Sequence, residues 1–129
     1  MPQRTMIIVG WILTGLFVVF MLGASIAPKL LGMAIAEDTL RQLGWPAGYA
    51  LMIGVIELAC VLLYLYPGTG VLGAVLTTGL LGGAMATQIR AGSPLFSHVL
   101  FSVYLGLFMW GGLWLRDPAL RALFPLRRT

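Results

Sequence analysis

Apolar runs of near-membrane length alternate along the chain with short stretches where charges, prolines and glycines concentrate. The runs extend from Met6 to Ala27, Gly48 to Tyr66, Val71 to Gln88 and His98 to Leu115. A bilayer core about 30 Å thick needs about 20 apolar residues in a helix, so each run predicts a spanning helix. The expected fold class is therefore all-α: a polytopic membrane protein, built as an antiparallel four-transmembrane-helix bundle in a single domain of residues 1–129. The first run ends in Ser25-Ile26-Ala27, the small-x-small form of a cleavage site. It is longer than a signal-peptide apolar region of about 7–15 residues, and Pro28 would follow the cut, so it reads as a span.

The connections differ in kind. Pro67-Gly68-Thr69-Gly70 is a tight turn of breaker residues, which makes the second and third spans antiparallel neighbours. Residues 28–46 place Met33, Ala36, Leu40 and Leu43 at helical spacing opposite Glu37, Asp38, Arg41 and Gln42. That pattern predicts a short interfacial helix able to cap the bundle. The tail, residues 116–129, opens with Asp117-Pro118, an N-cap followed by proline at the first helical position. It then mixes Leu120, Leu123, Phe124 and Leu126 with arginines, a basic amphipathic segment suited to anionic headgroups.

Only 9% of the residues are charged and 60% are hydrophobic, so little chain remains for a soluble domain and any site must lie within the helices or at their ends. Arg4, Arg116, Arg121, Arg127 and Arg128 on the terminal side outnumber Lys29, Arg41 and Arg90 on the other. Cytoplasmic segments carry the Lys/Arg excess, so both termini are expected in the cytoplasm of a plasma or inner membrane protein. Trp11 and Trp114 fall at that interface and Trp45 at the outer one. The net charge of +4 is thus a topology and lipid signal, without the basic groove that nucleic acid would require. Cys60 is the single cysteine, which excludes a dithiol or an intramolecular disulfide.

Helices in lipid associate through small residues and interhelical hydrogen bonds. Gly79 and Gly83 form a GxxxG step, and Gly82 and Gly83 are expected to let another helix or a ligand approach the backbone. Gly10, Gly15, Gly23, Gly106, Gly111 and Gly112 read the same way. Glu57 stands alone in its apolar run, about 13 Å below the outer surface at 1.5 Å per residue. Its helical face carries Ala50, Ile53, Gly54, Cys60, Val61 and Tyr64.

Ionisable groups within spans usually face the bundle interior and mark function by default. At the depth of Glu57 the fourth span offers Tyr104 as a hydrogen-bond partner. Ser25, Thr87, Gln88, Arg90, His98 and Ser102 form a polar rim nearer the outer surface. The expectation is a cavity opening outward, floored by Glu57 and lidded by residues 28–46. Its ligand-binding candidates are Glu57, Tyr104, Gly82, Gly83, Gln88, Arg90, His98 and Ser102. An unpaired carboxylate in hydrocarbon takes up a proton rather than stay charged. Three roles then stand open for Glu57: neutral hydrogen-bonding glue between helices, a contact for the polar head of a lipophile, or a catalytic acid or base assisted by Tyr104 or His98. Lys29 and Arg90 have a simpler default, snorkelling to the headgroups. With one histidine and one cysteine, no metal site of the usual imidazole and thiolate ligands can be built.

Gly54-Val55-Ile56-Glu57-Leu58, Leu65-Tyr66-Pro67, Leu72-Gly73-Ala74, the stretch from Leu80 to Arg90, and Trp110-Gly111-Gly112-Leu113-Trp114-Leu115-Arg116-Asp117 together resemble the DoxX-like family of small four-helix membrane proteins. The likeness covers roughly Thr5 to Pro125. It implies quinone-linked chemistry, since DoxX-type chains serve as a subunit of a membrane thiosulfate:quinone oxidoreductase and others are linked to thiol redox complexes. A quinone is thus the implied cofactor, and a membrane protein the implied partner beside lipids. Gln88 stands where such relatives often carry histidine before the arginine, and the single Cys60 does not suit thiol chemistry. The layout is also similar to that of emopamil-binding-type proteins, whose intramembrane acidic residues bind or isomerise sterol-like ligands, an analogy of architecture. The alternatives to a lipophile-binding protein are a small isomerase or oxidoreductase on an apolar substrate and a structural scaffold.

Overall fold

The computed structural model describes residues 2–127; Arg128 of the basic tail lies outside them. Every regular element among the described residues is helical. In chain order the α-helices are α1 (Gln3–Phe20), α2 (Ala27–Leu30), α3 (Ala34–Gln42), α4 (Ala50–Leu65), α5 (Gly70–Arg90), α6 (Phe101–Arg116) and α7 (Pro118–Leu123). Three helical stretches are long and apolar enough to cross a membrane: Gln3–Leu30, Pro67–Arg90 and Leu95–Arg116. The second expected span is the shorter apolar helix α4, whose 16 residues rise about 24 Å.

The first helix also departs from its expected end at Ala27, continuing to Leu30 through a π-helical turn, Met21–Ile26. Pro28 explains the detour. It has no N–H to give, and its ring conflicts with the carbonyl four residues back in a regular helix. Widening the preceding turn, with the Ala27 N–H bonded to the Leu22 carbonyl, lets the helix pass the proline. Such π turns recur at functional positions.

The core lies where α1, α4, α5 and α6 meet, with Phe17, Val61, Tyr64, Ala74, Met109 and Leu113 buried together. Helix α1 packs chiefly on α6, and α5 lies between α4 and α6. The face foreseen for α4 is the buried one: Ala50, Gly54, Glu57, Cys60, Val61 and Tyr64 are all buried.

The glycines at the helix contacts are not those of the GxxxG step. A methyl group at Gly10 would meet the Gly112 carbonyl at 2.7 Å, and one at Gly73 would run into the Tyr64 backbone. Those two contacts seat α1 on α6 and α5 on α4. At Gly79, Gly82 and Gly83 an added methyl meets nothing within 4 Å, which corrects the expectation that they pack helices of this chain together. They lie on the face of α5 turned outward, opposite buried Gly73, Ala74, Thr77 and Leu81.

Helix α3 buries Ala36 and Leu40 against Ala50 and Ile53, whereas Met33, expected on the same apolar face, is exposed. Glu37 reaches α4, accepting hydrogen bonds from the Gly48 N–H at 3.2 Å and the Ala50 N–H at 3.3 Å. It thereby caps the helix that carries Glu57. Glu37→Ala is expected to cost about 1 kcal/mol, the usual worth of an N-terminal cap. Thermal unfolding in detergent checks this; an unchanged midpoint would mean that the carboxylate does no capping. At the other end Asp117 Oδ1 accepts from the Ala119 N–H at 3.1 Å, the N-cap expected there. Arg121, counted among the headgroup charges, donates to the Trp114 and Leu115 carbonyls at 2.9 and 2.8 Å. It closes the C-terminus of α6.

Candidate functional site

Glu57 sits one helical turn below Gly54 on α4. Because Gly54 has no side chain, Lys29 of α2 lies directly against the helix; a methyl group at Gly54 would meet the Lys29 Cβ at 2.7 Å. Ser25 and Lys29, four residues apart, share one face of their helix. The lysine ammonium donates to Glu57 Oε1 at 2.7 Å, to Ser25 Oγ at 2.8 Å and to the Ser25 carbonyl at 3.3 Å. Ser25 Oγ–H in turn donates to Glu57 Oε2 at 2.5 Å. Three N–H donors thus find three acceptors, and both carboxylate oxygens are engaged. The side chains of Lys29 and Glu57 are only 15% and 7% exposed, so this is a buried, hydrogen-bonded ion pair.

The pair corrects the expected partnership of Glu57 with Tyr104. Tyr104 is 40% exposed and its hydroxyl donates to the Phe96 carbonyl at 2.9 Å. The Tyr104 side chain turns to the outside of the bundle. Glu57 therefore accepts from a cation and a hydroxyl instead of donating a proton of its own. A catalytic acid or base must come within hydrogen-bond reach of substrate, and these oxygens are held by the protein.

The remaining rim residues separate into groups. Thr87 and Arg90 line a cleft of about 250 Å³ together with Leu43, Gly44, Trp45 and Pro46. The turn opposite them is shaped by Gly44, whose φ of +91° suits a glycine ending a helix. Gln88 is half-buried, with its Oε1 covered and lacking a partner among the described residues. His98 is exposed, its Nδ1 2.7 Å from Ser97 Oγ. Ser102 is half-buried, and Gly82 and Gly83 face open space. Residues 43–46 of the connection do stand over part of the rim, while Glu57 is engaged separately with Lys29.

A second polar cluster escaped the sequence reading. Arg116, at the end of α6, donates from Nε to Thr14 Oγ1 at 3.1 Å, and its guanidinium lies 4.2 Å from the Trp11 ring centroid and 5.2 Å from that of Tyr64. Thr14 Oγ1 is 3.1 Å from the Tyr64 hydroxyl, which donates to the Met109 carbonyl at 2.6 Å. An arginine can only donate and a carbonyl only accept, so the chain runs one way, from Arg116 through Thr14 and Tyr64 to Met109. Arg116 Nη2 is covered without a partner among the described residues, a condition that costs about 1–3 kcal/mol or more for a charged group. The spacing of Trp11 and Thr14 on one face of α1 is the available signal, whereas Arg116 reads from the sequence as a topology and headgroup charge.

No group of three or more metal-ligating side chains occurs among the described residues. No curated protein and no solved structure matches the chain. The family model of the DoxX-like family matches residues 12–112, from within α1 to near the end of α6. That stretch includes Glu57, its ion pair with Lys29 and the rim cleft, and it shows that this integral membrane chain belongs to the DoxX-like family.

Proposed function

We propose that the protein crosses the membrane four times, as an antiparallel bundle with both termini cytoplasmic, and binds an amphipathic lipophile of quinone type at its outer rim. The observation that carries this reading is the cleft of about 250 Å³ between residues 43–46 and the Thr87 and Arg90 end of α5. Arg90 in its wall supplies fixed positive charge and donors for a carbonyl-bearing head. The wall of the cleft is tied down from two directions. Lys29–Glu57 fixes the start of the connection and Glu37 fixes α3 to α4. In this reading Glu57 shapes the site from below without touching the ligand. The excess of terminal arginines supports the orientation.

The test is thermal unfolding of the purified protein with quinones of short and long tail. A ligand at a hundredfold its dissociation constant adds about 2.7 kcal/mol, and Arg90→Gln should remove most of that gain. Extracts holding only bulk phospholipid, together with no quinone-dependent shift, would sink the reading. A subunit role is the second reading, favoured by the open small-residue face at Gly79, Gly82 and Gly83, which a neighbouring helix can approach closely. Native mass spectrometry that finds only the free chain after mild extraction would count against it.

A further inference from the structure

Helix α5 separates two clefts by about 30 Å, the length of its 21 residues at 1.5 Å each. The cleft at its start has a volume of about 430 Å³ and is lined by Trp11, Gly68, Gly70, Val71, Arg116 and Asp117, among others. We infer that this cleft is a binding site for the headgroup of a zwitterionic phospholipid, with the phosphate on Arg116 and a primary ammonium on Asp117.

The argument starts from the state of Arg116. Its guanidinium is held in place by the Thr14 hydroxyl and the Trp11 and Tyr64 rings. Thr14 receives one of its five N–H donors, and the residue lines the cleft, although Nη2 itself is covered, with no acceptor among the described residues. A guanidinium immobilised on one edge in the wall of a cleft is preorganised for an oxyanion, and its planar form matches phosphate geometry. Trp11 covers the cation on one side without neutralising it. The first turn of α5, beside Gly68 and Gly70, adds the positive end of a helix.

Asp117 selects among phosphates. Its Oδ1 caps α7 by accepting from Ala119, and its charge lies in the wall of the same cleft. A lone anion on Arg116 would meet that negative charge, whereas a phosphodiester carrying a primary ammonium answers both residues. Apolar Val71 in the wall suits the glycerol end of a lipid. The site is therefore matched to the phosphatidylethanolamine class rather than to phosphatidylglycerol, which lacks the cation. Phosphatidylcholine is also a poorer match, because its quaternary nitrogen has no N–H for Asp117.

Native mass spectrometry of the delipidated protein, titrated separately with phosphatidylethanolamine, phosphatidylcholine and phosphatidylglycerol, tests the inference. Phosphatidylethanolamine should be retained at about fivefold lower concentration than the other two, the worth of one partly exposed ion pair. Arg116→Gln should abolish retention of all three. Asp117→Asn, which keeps an acceptor for the Ala119 cap, should erase the preference while leaving binding intact. Val71→Trp, which fills the cleft and leaves the Arg116 network untouched, guards against a folding defect in Arg116→Gln and should also abolish retention. Equal retention of the three lipids by the unaltered protein, or a preference that survives Asp117→Asn, overturns the proposal. Displacement of the lipid by soluble phosphoethanolamine at matching concentration overturns the lipid as the occupant.

Discussion

Lys29→Met is expected to destabilise the protein by about 3–5 kcal/mol, the cost of removing one member of a buried ion pair. The side chain of Lys29 supplies the ammonium 2.7 Å from Glu57 Oε1 and is only 15% exposed, so little water can replace it. Without it Glu57 keeps only the Ser25 hydroxyl and loses the partner that compensates its burial. Methionine retains most of the length and apolar stem of lysine, so the loss reads the charge rather than packing. The double variant Lys29→Met with Glu57→Leu should recover most of the stability, because replacing a buried pair by apolar groups is often neutral or better. Reversible unfolding in one detergent or bicelle, run as a double-mutant cycle, checks both statements. If either single change costs no more than the roughly 0.5 kcal/mol of a surface substitution, the pair does not hold α2 to α4. Ser25→Ala should fall between, at about 1 kcal/mol, since the lysine and the carboxylate still meet.

The hydrophobic pattern made much of this molecule legible. Long apolar runs leave a helix little choice in lipid, and the spacing around Glu57 named the buried face of α4 because a helix repeats its face every three to four residues. Asp117-Pro118 and the breaker turn at Pro67 are local signals with local causes, and they read correctly. What failed to show was how one helix is placed against another. Lys29 reads from the sequence as a snorkelling charge because the first apolar run stops at Ala27; the π turn carries the helix on past Pro28 and brings Lys29 over Gly54. Gly54 was visible as a small residue, but only the approach of α2 turns it into the notch that admits a lysine. Arg116 was hidden for a similar reason. A terminal arginine and a tyrosine 52 positions away become neighbours only when α1, α4 and α6 are assembled. A count of residues pairs positions along two helices but does not say how one helix is rotated against the other, which is why Tyr104, expected beside Glu57, faces elsewhere.

Glycines show the same limit, and the second large effect follows from it. Gly73→Ala is expected to destabilise the protein by about 1–3 kcal/mol or more, as overpacking a close contact does, despite the roughly 1 kcal/mol by which alanine favours a helix over glycine. The added methyl would come 2.6 Å from the Tyr64 Cα and 2.7 Å from the Leu63 carbonyl carbon. Those are backbone atoms, which cannot swing aside as a flexible side chain can, so α4 and α5 must separate. Tyr64 is completely buried and its hydroxyl joins Met109 to Thr14, so the displacement should also loosen the Arg116 network at the same end of the bundle. Gly83→Ala is the control on the same helix. Its methyl meets nothing within 4 Å, so the isolated chain should keep or gain up to about 1 kcal/mol through helix propensity. Unfolding midpoints of the two variants in one detergent separate the cases. Equal losses at both positions would refute the assignment of the α4–α5 contact to Gly73, whereas a loss at Gly83 that appears only in native membranes would identify its open face as the seat of another helix.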